Sequence, residues 1–362
     1  MRSSFVLIPR QHTPAWLSTL VLIGGIAVGL TLAVMVLMAN GVALDGIVSE
    51  FILYSFATPH GLAQTLSKAT LLLLVGVASA AALKLRFWNI GIDGQVWLGA
   101  IAATGVAIGD IGDPALRLWL MGAAAFVAGS AWIGLPVVLR LRLGVNEVIS
   151  TLMLSYVAFL LAQHLLYGAW RDPGTSFPVS ATFDAGSEQL ARIGFGHVHS
   201  GLWLALTATA LASYLLLVSR FGLYVTAVGL NPRGARAAGL PVTATVIGTT
   251  LVAGGLCGLA GFVIVAGQEY RLTQHIAHGY TFSAILIAFL ARLNPVAVVP
   301  TAFVVAGLFT AGDTLKTFYQ LPLAIILVVE ALILLSVVGM DFFARYHIGF
   351  HREPGTALLN AK

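Results

Sequence analysis

Long apolar stretches bounded by charged residues recur along almost the whole chain. The first runs from Trp16 to Ala39, and a membrane-spanning helix needs only about 20 such residues. Of the 362 residues, 59% are hydrophobic and 9% are charged, whereas soluble domains average about 25% charged residues. So few charged side chains cannot cover the surface of a soluble protein of this length. The pattern excludes an ordinary soluble globule and predicts a protein that lies almost entirely in a lipid bilayer.

The boundaries of these stretches predict an all-α, polytopic membrane bundle of about ten spans that forms a single transmembrane domain over residues 1–362. The spans are placed at 16–39, 62–83, 88–109, 118–139, 145–168, 201–219, 242–266, 281–291, 296–311 and 321–339. The stretch 281–291 would rise only about 16 Å as a helix. It and 296–311 are therefore either two spans or two broken half-helices in a re-entrant hairpin. Both arrangements return the chain to the same side of the membrane.

Basic residues follow the alternation of the predicted loops. With the N-terminus inside, thirteen of the 19 Lys and Arg residues fall on the inner side: Arg2, Arg10, Lys84, Arg86, Arg140, Arg142, Arg220, Arg233, Arg236, Arg292, Arg345, Arg352 and Lys362. Acidic residues show the opposite bias. Because cytoplasmic loops are enriched in Lys and Arg, both termini are predicted to be cytoplasmic, and the net charge of +5 indicates sidedness and not nucleic-acid binding. The single cysteine, Cys257, excludes an intrachain disulfide and a Cys-based metal cluster.

Two carboxylates, Asp93 and Glu330, are predicted within spans. A charge at the centre of a lipid-facing helix costs about 2.5–3.5 kcal/mol, so both are expected to face the bundle interior or a watery path. Glu330 has no polar neighbours in sequence, which favours a structural role. The residues around Asp93 offer amide groups and aromatic faces that suit a substrate pathway: Trp88, Asn89, Gln95 and Trp97. A structural alternative, in which Asp93 caps or braces helix ends, stays equally open.

A second polar cluster, 144–151, opens the fifth predicted span. Asn146 is suited to cap that helix, and Glu147 suits its positive end. Capping explains most of this cluster. The alternative is that Ser150 and Thr151 line the substrate pathway, provided that they share a face with Asp93.

The segment 220–241 is the longest predicted cytoplasmic loop and carries the signals of a short helix. Asn231 is a good N-cap, Pro232 suits the first helical position, and Gly239 suits the position just after the end. Such a helix would carry Arg233 and Arg236 on one face. Its defined ends favour a docking helix for a cytosolic partner over a basic helix that rests on anionic lipid headgroups.

The segments 89–95, 144–151 and 227–239 resemble the signature stretches of ABC importer permeases, in the simple-sugar and nucleoside branch of the branched-chain amino acid permease superfamily. Gly258-Leu-Ala-Gly261, 279–283 and Leu293-Asn-Pro295 resemble that branch too, so that the likeness covers roughly residues 62–311. The resemblance implies that 220–241 is the coupling segment, with Asn231, Pro232, Arg233 and Arg236 at the contact with the ATPase. It further implies a bacterial inner-membrane location and a nucleoside or simple sugar as substrate.

The same resemblance implies several partners. The chain has no Gly-x-x-x-x-Gly-Lys-[Ser/Thr] loop, so ATP and Mg are expected in a separate cytosolic ATPase subunit, with no cofactor and no covalent chemistry in this chain. The outer loop at 170–200 is short, which is consistent with delivery of the substrate by a periplasmic binding protein. A second permease subunit, by analogy a different chain, would complete the pathway.

Two other classes of protein remain as alternatives. A proton-coupled secondary transporter would use Asp93 and Glu330 as a relay. A membrane enzyme with a histidine-bound metal would use the pairs His197 and His199, and His275 and His278. Solvated loop histidines are the simpler interpretation of those pairs.

Overall fold

Helices form at nearly every apolar stretch that the sequence marks. The computed structural model describes residues 3–9, 15–47, 49, 53–194, 196–276 and 279–352. The elements are β1 (Ser3–Pro9), α1 (Ala15–Ala39), α2 (Leu44–Ile47), α3 (Ser55–Ala57), α4 (Pro59–Lys84), α5 (Ile92–Ile108), α6 (Pro114–Leu143), α7 (Glu147–Tyr167), α8 (Gly201–Ser213), α9 (Arg220–Leu230), α10 (Pro232–Ala237), α11 (Val242–Val263), α12 (Tyr280–Leu290), α13 (Pro295–Tyr319), α14 (Leu323–Arg345) and β2 (Tyr346–Arg352). Two helices continue as π-helical turns, α8 through Tyr214–Val218 and α11 through Ile264–Gln268. The all-α prediction is confirmed for the body of the protein.

The described residues divide into two compact units, and the smaller unit combines the two ends of the chain. In it, α1 packs against α14 through two glycines four residues apart. A Cβ on Gly25 would lie 2.8 Å from Val337 Cα, and one on Gly29 would lie 2.8 Å from Ile333 Cα. Small residues with this spacing let helix backbones approach closely within a bilayer. The strands β1 and β2 pair antiparallel, with Ser3 opposite Arg352, and this ribbon was not predicted.

The larger unit, Ser49–Thr314, is built around α4 and α11. In the most apolar stretch of α4, 89% of the residues are buried, and in that of α11 with its π turn, 83% are buried. The corresponding share is 33% or less in α6, α7 and α8. Glycines bring the helices close: a Cβ on Gly99 would lie 2.1 Å from the Gly258 carbonyl oxygen, and one on Gly129 would lie 2.2 Å from that of Gly254. The glycines of α11 therefore serve close helix packing.

Six described helices are long and apolar enough to cross a membrane: α4, α6, α7, α8 with its π turn, α11 with its π turn, and α13. Shorter apolar helices lie at 23–39, 92–108, 220–230, 280–290 and 331–340. The ten-span count and the cytoplasmic termini therefore stay predictions. Arg2, Arg10 and Lys362, which contribute to the charge argument, lie outside the described residues.

Two predicted span boundaries are wrong, and one predicted loop contains an additional helix. The third span does not start at residue 88, because the Asn89 and Gln95 side chains bond to each other ahead of the helix and α5 begins only at Ile92. The segment 220–241 contains a second helix, α9, which Ser219 caps and which buries Val225 and Val228. The helix expected at 296–311 continues to Tyr319, because Asp313 forms an ion pair with Lys68 and need not mark a loop. Of the two expected half-helices, only α12, with 11 residues, is short.

Candidate functional site

A clasp of two amide side chains fixes the polar segment that starts at Trp88. Asn89 Nδ2 donates to Gln95 Oε1 at 3.0 Å, and Gln95 Nε2 donates back to Asn89 Oδ1 at 3.0 Å. The same Asn89 oxygen accepts from the Gly91 backbone N–H at 3.1 Å. Both side chains are buried, and buried polar groups need such partners. The clasp therefore sets the position at which α5 begins.

The start of α5 lies directly against α7. The Ile90 backbone N–H donates to Thr151 Oγ1 at 3.2 Å. A Cβ on Gly91 would lie 2.6 Å from the Thr151 carbonyl oxygen, and one on Gly94 would lie 2.7 Å from Ser155 Cα. Glycines at both positions permit this approach. The structure thus brings Thr151 to the polar segment.

The beginning of α7 matches the capping interpretation. Asn146 Oδ1 accepts from the Val148 N–H at 2.8 Å, so the predicted N-cap is confirmed. Ser150 is half-buried, and its hydroxyl donates to the Asn146 carbonyl oxygen at 3.2 Å. Glu147 Oε1 lies 3.1 Å from Arg140 Nη1. These hydroxyl bonds of Ser150 are local to the start of α7, and its place in a substrate pathway stays a prediction.

Asp93 joins the first turns of two helices. Its backbone N–H donates to Thr281 Oγ1 at 3.0 Å, and its Oδ1 accepts from the Thr281 backbone N–H at 3.1 Å. Asp93 is the second residue of α5 and Thr281 the second residue of α12. Each side chain therefore satisfies a free N–H in the first turn of the other helix. The predicted role of Asp93 in bracing helix ends is met by this reciprocal cap, and Thr281 is a site residue that sequence reasoning missed.

The two candidate tryptophans lie in different environments. Trp88 is 43% exposed, and its ring centroid lies 5.9 Å from that of Phe289 in α12. Trp97 is 2% exposed and packs edge-on against Phe159 at 5.7 Å. Of this pair, only Trp88 has ring surface available to a ligand.

The basic helix α10 has the ends that the sequence predicts. Asn231 Oδ1 accepts from the Gly234 N–H at 3.0 Å, and Pro232 is the first helical residue. Gly239 follows the helix with a φ of +78°, a conformation that glycine adopts without strain. The predicted capped helix is confirmed.

The two arginines of α10 are available to a partner. Arg233 and Arg236 are exposed, whereas Ala235 is buried against the protein. Neither arginine forms an ion pair among the described residues. Exposed, unpaired cations on a helix with fixed ends can bind an acidic or polar groove of another protein.

An ion cluster, in which Arg117 and Glu188 are buried and Asp110 is exposed, holds the loop between α7 and α8 against α6. Arg117 Nη1 lies 2.7 Å from Asp110 Oδ1 and 2.8 Å from Glu188 Oε1, and the other Glu188 oxygen accepts from the Asp184 N–H at 2.8 Å. The hydroxyl of Ser187, with nearby backbone N–H groups, holds the pKa of Asp184 below its usual range. Arg117 and Glu188 are 71 residues apart in the chain, so no local sequence signal reveals this pair.

His199 lies near the end of the loop between α7 and α8 as a neutral, buried ring. It is 1% exposed, and burial lowers its pKa to about 4. Among the described residues, neither ring nitrogen has a hydrogen-bond partner. A Cβ on Gly267 would lie 2.9 Å from the ring, so the ring packs directly on the backbone of the π turn that extends α11.

The described histidines do not gather into a metal site. His197 packs edge-on against His60 with ring centroids 5.7 Å apart. Within the part of the chain that the structure describes, no group of three or more His, Cys, Asp or Glu side chains could hold a metal ion. His278, one member of the second predicted pair, lies outside the described residues.

Comparison with known proteins extends these observations to a family. The family described as the permease component of branched-chain amino acid transport systems matches residues 61–338. The Glucose ABC transporter permease protein TsgB13 of Haloferax volcanii is 34% identical over 100% of this chain and 98% of its own length. The Guanosine ABC transporter permease protein NupP of Bacillus subtilis is 26% identical over 91% of this chain and 95% of its own length. The Nucleoside ABC transporter permease protein NupB of Lactococcus lactis is 24% identical over 86% of this chain and 88% of its own length.

These relatives are transport subunits of ABC transporters for sugars and nucleosides, and they match this chain over nearly its whole length. The family match includes the clasp at 89–95, the reciprocal cap at Asp93 and all of α10. The chain therefore belongs to the family of multi-pass membrane permeases of ABC transporters described as branched-chain amino acid transport system permease components.

Proposed function

We propose that this chain is the permease subunit of an ATP-binding-cassette importer and forms the path of a nucleoside or simple sugar across the bacterial inner membrane. The observation that carries the proposal is α10, a capped helix inside the region that matches the permease family, whose two exposed arginines form no ion pair within the described part of the chain. A groove of a cytosolic ATPase subunit would hold this helix through Asn231, Pro232, Arg233 and Arg236. ATP and Mg would bind in that subunit, and ATP hydrolysis would take place there.

The substrate pathway would run beside the polar segment 88–97. Trp88 offers the exposed ring surface, and Asn89, Asp93, Gln95, Trp97 and Thr151 fix the shape of the wall behind it. Ser150 would lie at the edge of this wall. A second permease subunit, by analogy a different chain, would supply the facing wall, and a periplasmic binding protein would deliver the substrate.

Two substrate classes fit this wall. An aromatic face suits both a nucleobase and the apolar face of a sugar ring. The relative named for glucose supports a simple sugar, and the relative named for guanosine supports a nucleoside. Uptake of labelled glucose and guanosine by the complete transporter, each in competition with the other unlabelled compound, distinguishes the two classes.

Charge reversal on α10 tests the proposal. In the complex assembled with its ATPase and binding protein, Arg233→Glu with Arg236→Glu should abolish substrate-stimulated ATP hydrolysis, because two repelling charges would replace two attracting ones. Arg142→Glu is the control, since Arg142 is an exposed arginine on the same predicted side but not on α10. Normal stimulation in the α10 variant, with the complex intact, would contradict the proposed docking role.

The energy source provides a second test. Uptake should stop when the ATPase subunit is removed and should continue with a protonophore when cellular ATP is held constant. The opposite result would favour the proton-coupled alternative that uses Asp93 and Glu330.

A further inference from the structure

Helix α9 contacts the turn between α4 and α5 through one glycine. A Cβ on Gly229 would lie 2.0 Å from the Lys84 carbonyl oxygen and 3.3 Å from Leu85 Cα. Both neighbours are backbone atoms, which cannot rotate away as a side chain can. A residue larger than glycine would therefore push α9 and this turn apart.

The turn that Gly229 touches has a fixed shape. The Phe87 N–H donates to the Ala82 carbonyl oxygen at 3.0 Å, and the Arg86 N–H donates to that of Leu83 at 2.8 Å. These are the two bonds of a Schellman motif, with Arg86 in the left-handed conformation at a φ of 55°. Such a closed turn moves as one piece.

The residues that follow this turn in the chain, from Phe87 onward, continue directly into the polar segment 88–97. Phe87 is fully buried, and the Arg140 guanidinium lies 5.2 Å from the centre of its ring. Asn89 follows two residues later and is clasped to Gln95 in the first turn of α5. A displacement of the turn is therefore passed to the start of α5.

On the other side of this contact, α9 connects to α10 through a single residue, Asn231. The Asn231 N–H donates to the Ala227 carbonyl oxygen at 3.0 Å, which ends α9, and the Asn231 carbonyl oxygen accepts from the Ala235 N–H at 2.9 Å, which begins α10. The Asn231 side chain caps α10 as well. One residue with both backbone groups and its side chain bonded leaves little freedom between the two helices.

We propose that Gly229 is a positioning residue that transmits movement of α10 to the polar segment 88–97 by way of the α4–α5 turn. The proposal rests on the proposed function of α10 as the docking helix. When the ATPase displaces α10, α9 moves with it, and its backbone at Gly229 shifts the Lys84 carbonyl and with it the start of α5. This route is distinct from the direct continuation of the chain from α10 into α11.

Two glycine substitutions separate this contact from general effects on helices. Gly229→Ala and Gly229→Val add atoms against the turn, whereas Gly248→Ala in α11 is a matched control, because nothing lies within 4 Å of its added Cβ. Both alanine changes raise intrinsic helix propensity equally. The complex with its ATPase and binding protein is reconstituted in proteoliposomes, and retention of the ATPase, basal and stimulated ATP hydrolysis, and uptake per ATP are measured.

We expect Gly229→Val to retain the ATPase and basal hydrolysis but to lower uptake per ATP about tenfold, within the range by which residues between two coupled sites change their coupling. Gly229→Ala should show a smaller loss, and Gly248→Ala should match the wild type. Equal uptake per ATP in Gly229→Val and Gly248→Ala, with the ATPase retained, would overturn the inference. Failure of the wild-type complex to retain the ATPase or to respond to substrate would instead contradict the proposed function.

Hydrogen exchange on the wild-type complex decides the question if the valine variant does not fold. Addition of ATP should change the exchange of amides in α10, α9 and residues 85–92 together. A change in α10 and α11 without one in residues 85–92 would overturn the inference.

Discussion

Asp93 shows how a carboxyl group within an apolar segment can be held by helix ends, with no ion pair to it among the described residues. Its carboxylate accepts from the first turn of α12, and its own N–H is satisfied by Thr281. The positive ends of two helix dipoles therefore meet at this residue. A carboxylate held in this way fixes the relative position of α5 and α12 and so shapes the wall next to Trp88.

Substitution of Asp93 distinguishes a cap from a proton carrier. Asp93→Asn keeps the oxygen that accepts from Thr281 and should retain stability and uptake, whereas Asp93→Ala should lower stability by about 1 kcal/mol, the usual cost of a lost cap. Thermal unfolding of the purified protein and uptake by the complex are the measurements. In a double-mutant cycle, Asp93→Ala and Thr281→Val together should destabilise the protein by less than the sum of the two single changes, because their two hydrogen bonds join the same pair of helix ends. Loss of uptake in Asp93→Asn at normal stability would support the proton relay.

His199 should make the protein less stable in acid. Its pKa is about 4 in the folded protein, against 6.5 as the ordinary value. As the pH falls below 6.5, the unfolded chain binds the proton first, so stability that is fully present above pH 6.5 is lost progressively down to pH 4. By pH 5 the loss attributable to this residue is about 2 kcal/mol.

His199→Phe keeps a planar ring and removes the titration. The decrease in the melting temperature between pH 7 and pH 5 should therefore be smaller in this variant than in the wild type. His197→Phe, two residues earlier in the same loop, is the control. The same acid sensitivity in wild type and His199→Phe would mean that another group controls it.

At the scale of elements, the ends of a helix could be predicted from the sequence where capping residues flank one short segment on both sides. The order Asn231, Pro232, Gly239 fixes both ends of α10 by local backbone chemistry alone. The extent of α13 could not be read in this way, because Asp313 is neutralised by Lys68, 245 residues away. The reciprocal cap of Asp93 and Thr281 likewise depends on tertiary packing across 188 residues.

The two asparagine caps offer a comparison between elements. Asn231 caps α10 through Gly234, and Asn146 caps α7 through Val148. Asn231→Ala and Asn146→Ala should each cost about 1 kcal/mol of local helix stability. Only Asn231→Ala should lower substrate-stimulated ATP hydrolysis, because only α10 is proposed to dock on the ATPase. Similar hydrolysis defects in both variants would show that the effect comes from destabilisation and not from α10.

For the whole molecule, composition alone predicted a membrane protein, since 9% charged residues cannot coat a soluble surface. It did not predict how the helices assemble. The core around α4 and α11 depends on backbone contacts such as Gly99 with Gly258, and a glycine in a sequence does not name its partner. At this scale, the loop charges of the sequence predict which side of the membrane each loop faces, and labelling of the folded protein tests that orientation.

The predicted sidedness can be tested by cysteine labelling, because the native Cys257 is fully buried and gives a silent background. Ala185→Cys and Ala238→Cys each place a thiol at an exposed position, the first in the loop between α7 and α8 and the second just after α10. In intact cells with the outer membrane permeabilised, a membrane-impermeant maleimide should label residue 185 and should not label residue 238. Inside-out vesicles should give the reverse pattern, and unaltered protein should remain unlabelled in both. Labelling of residue 238 from outside would invert the orientation derived from the loop charges, and α10 could then not reach a cytosolic ATPase.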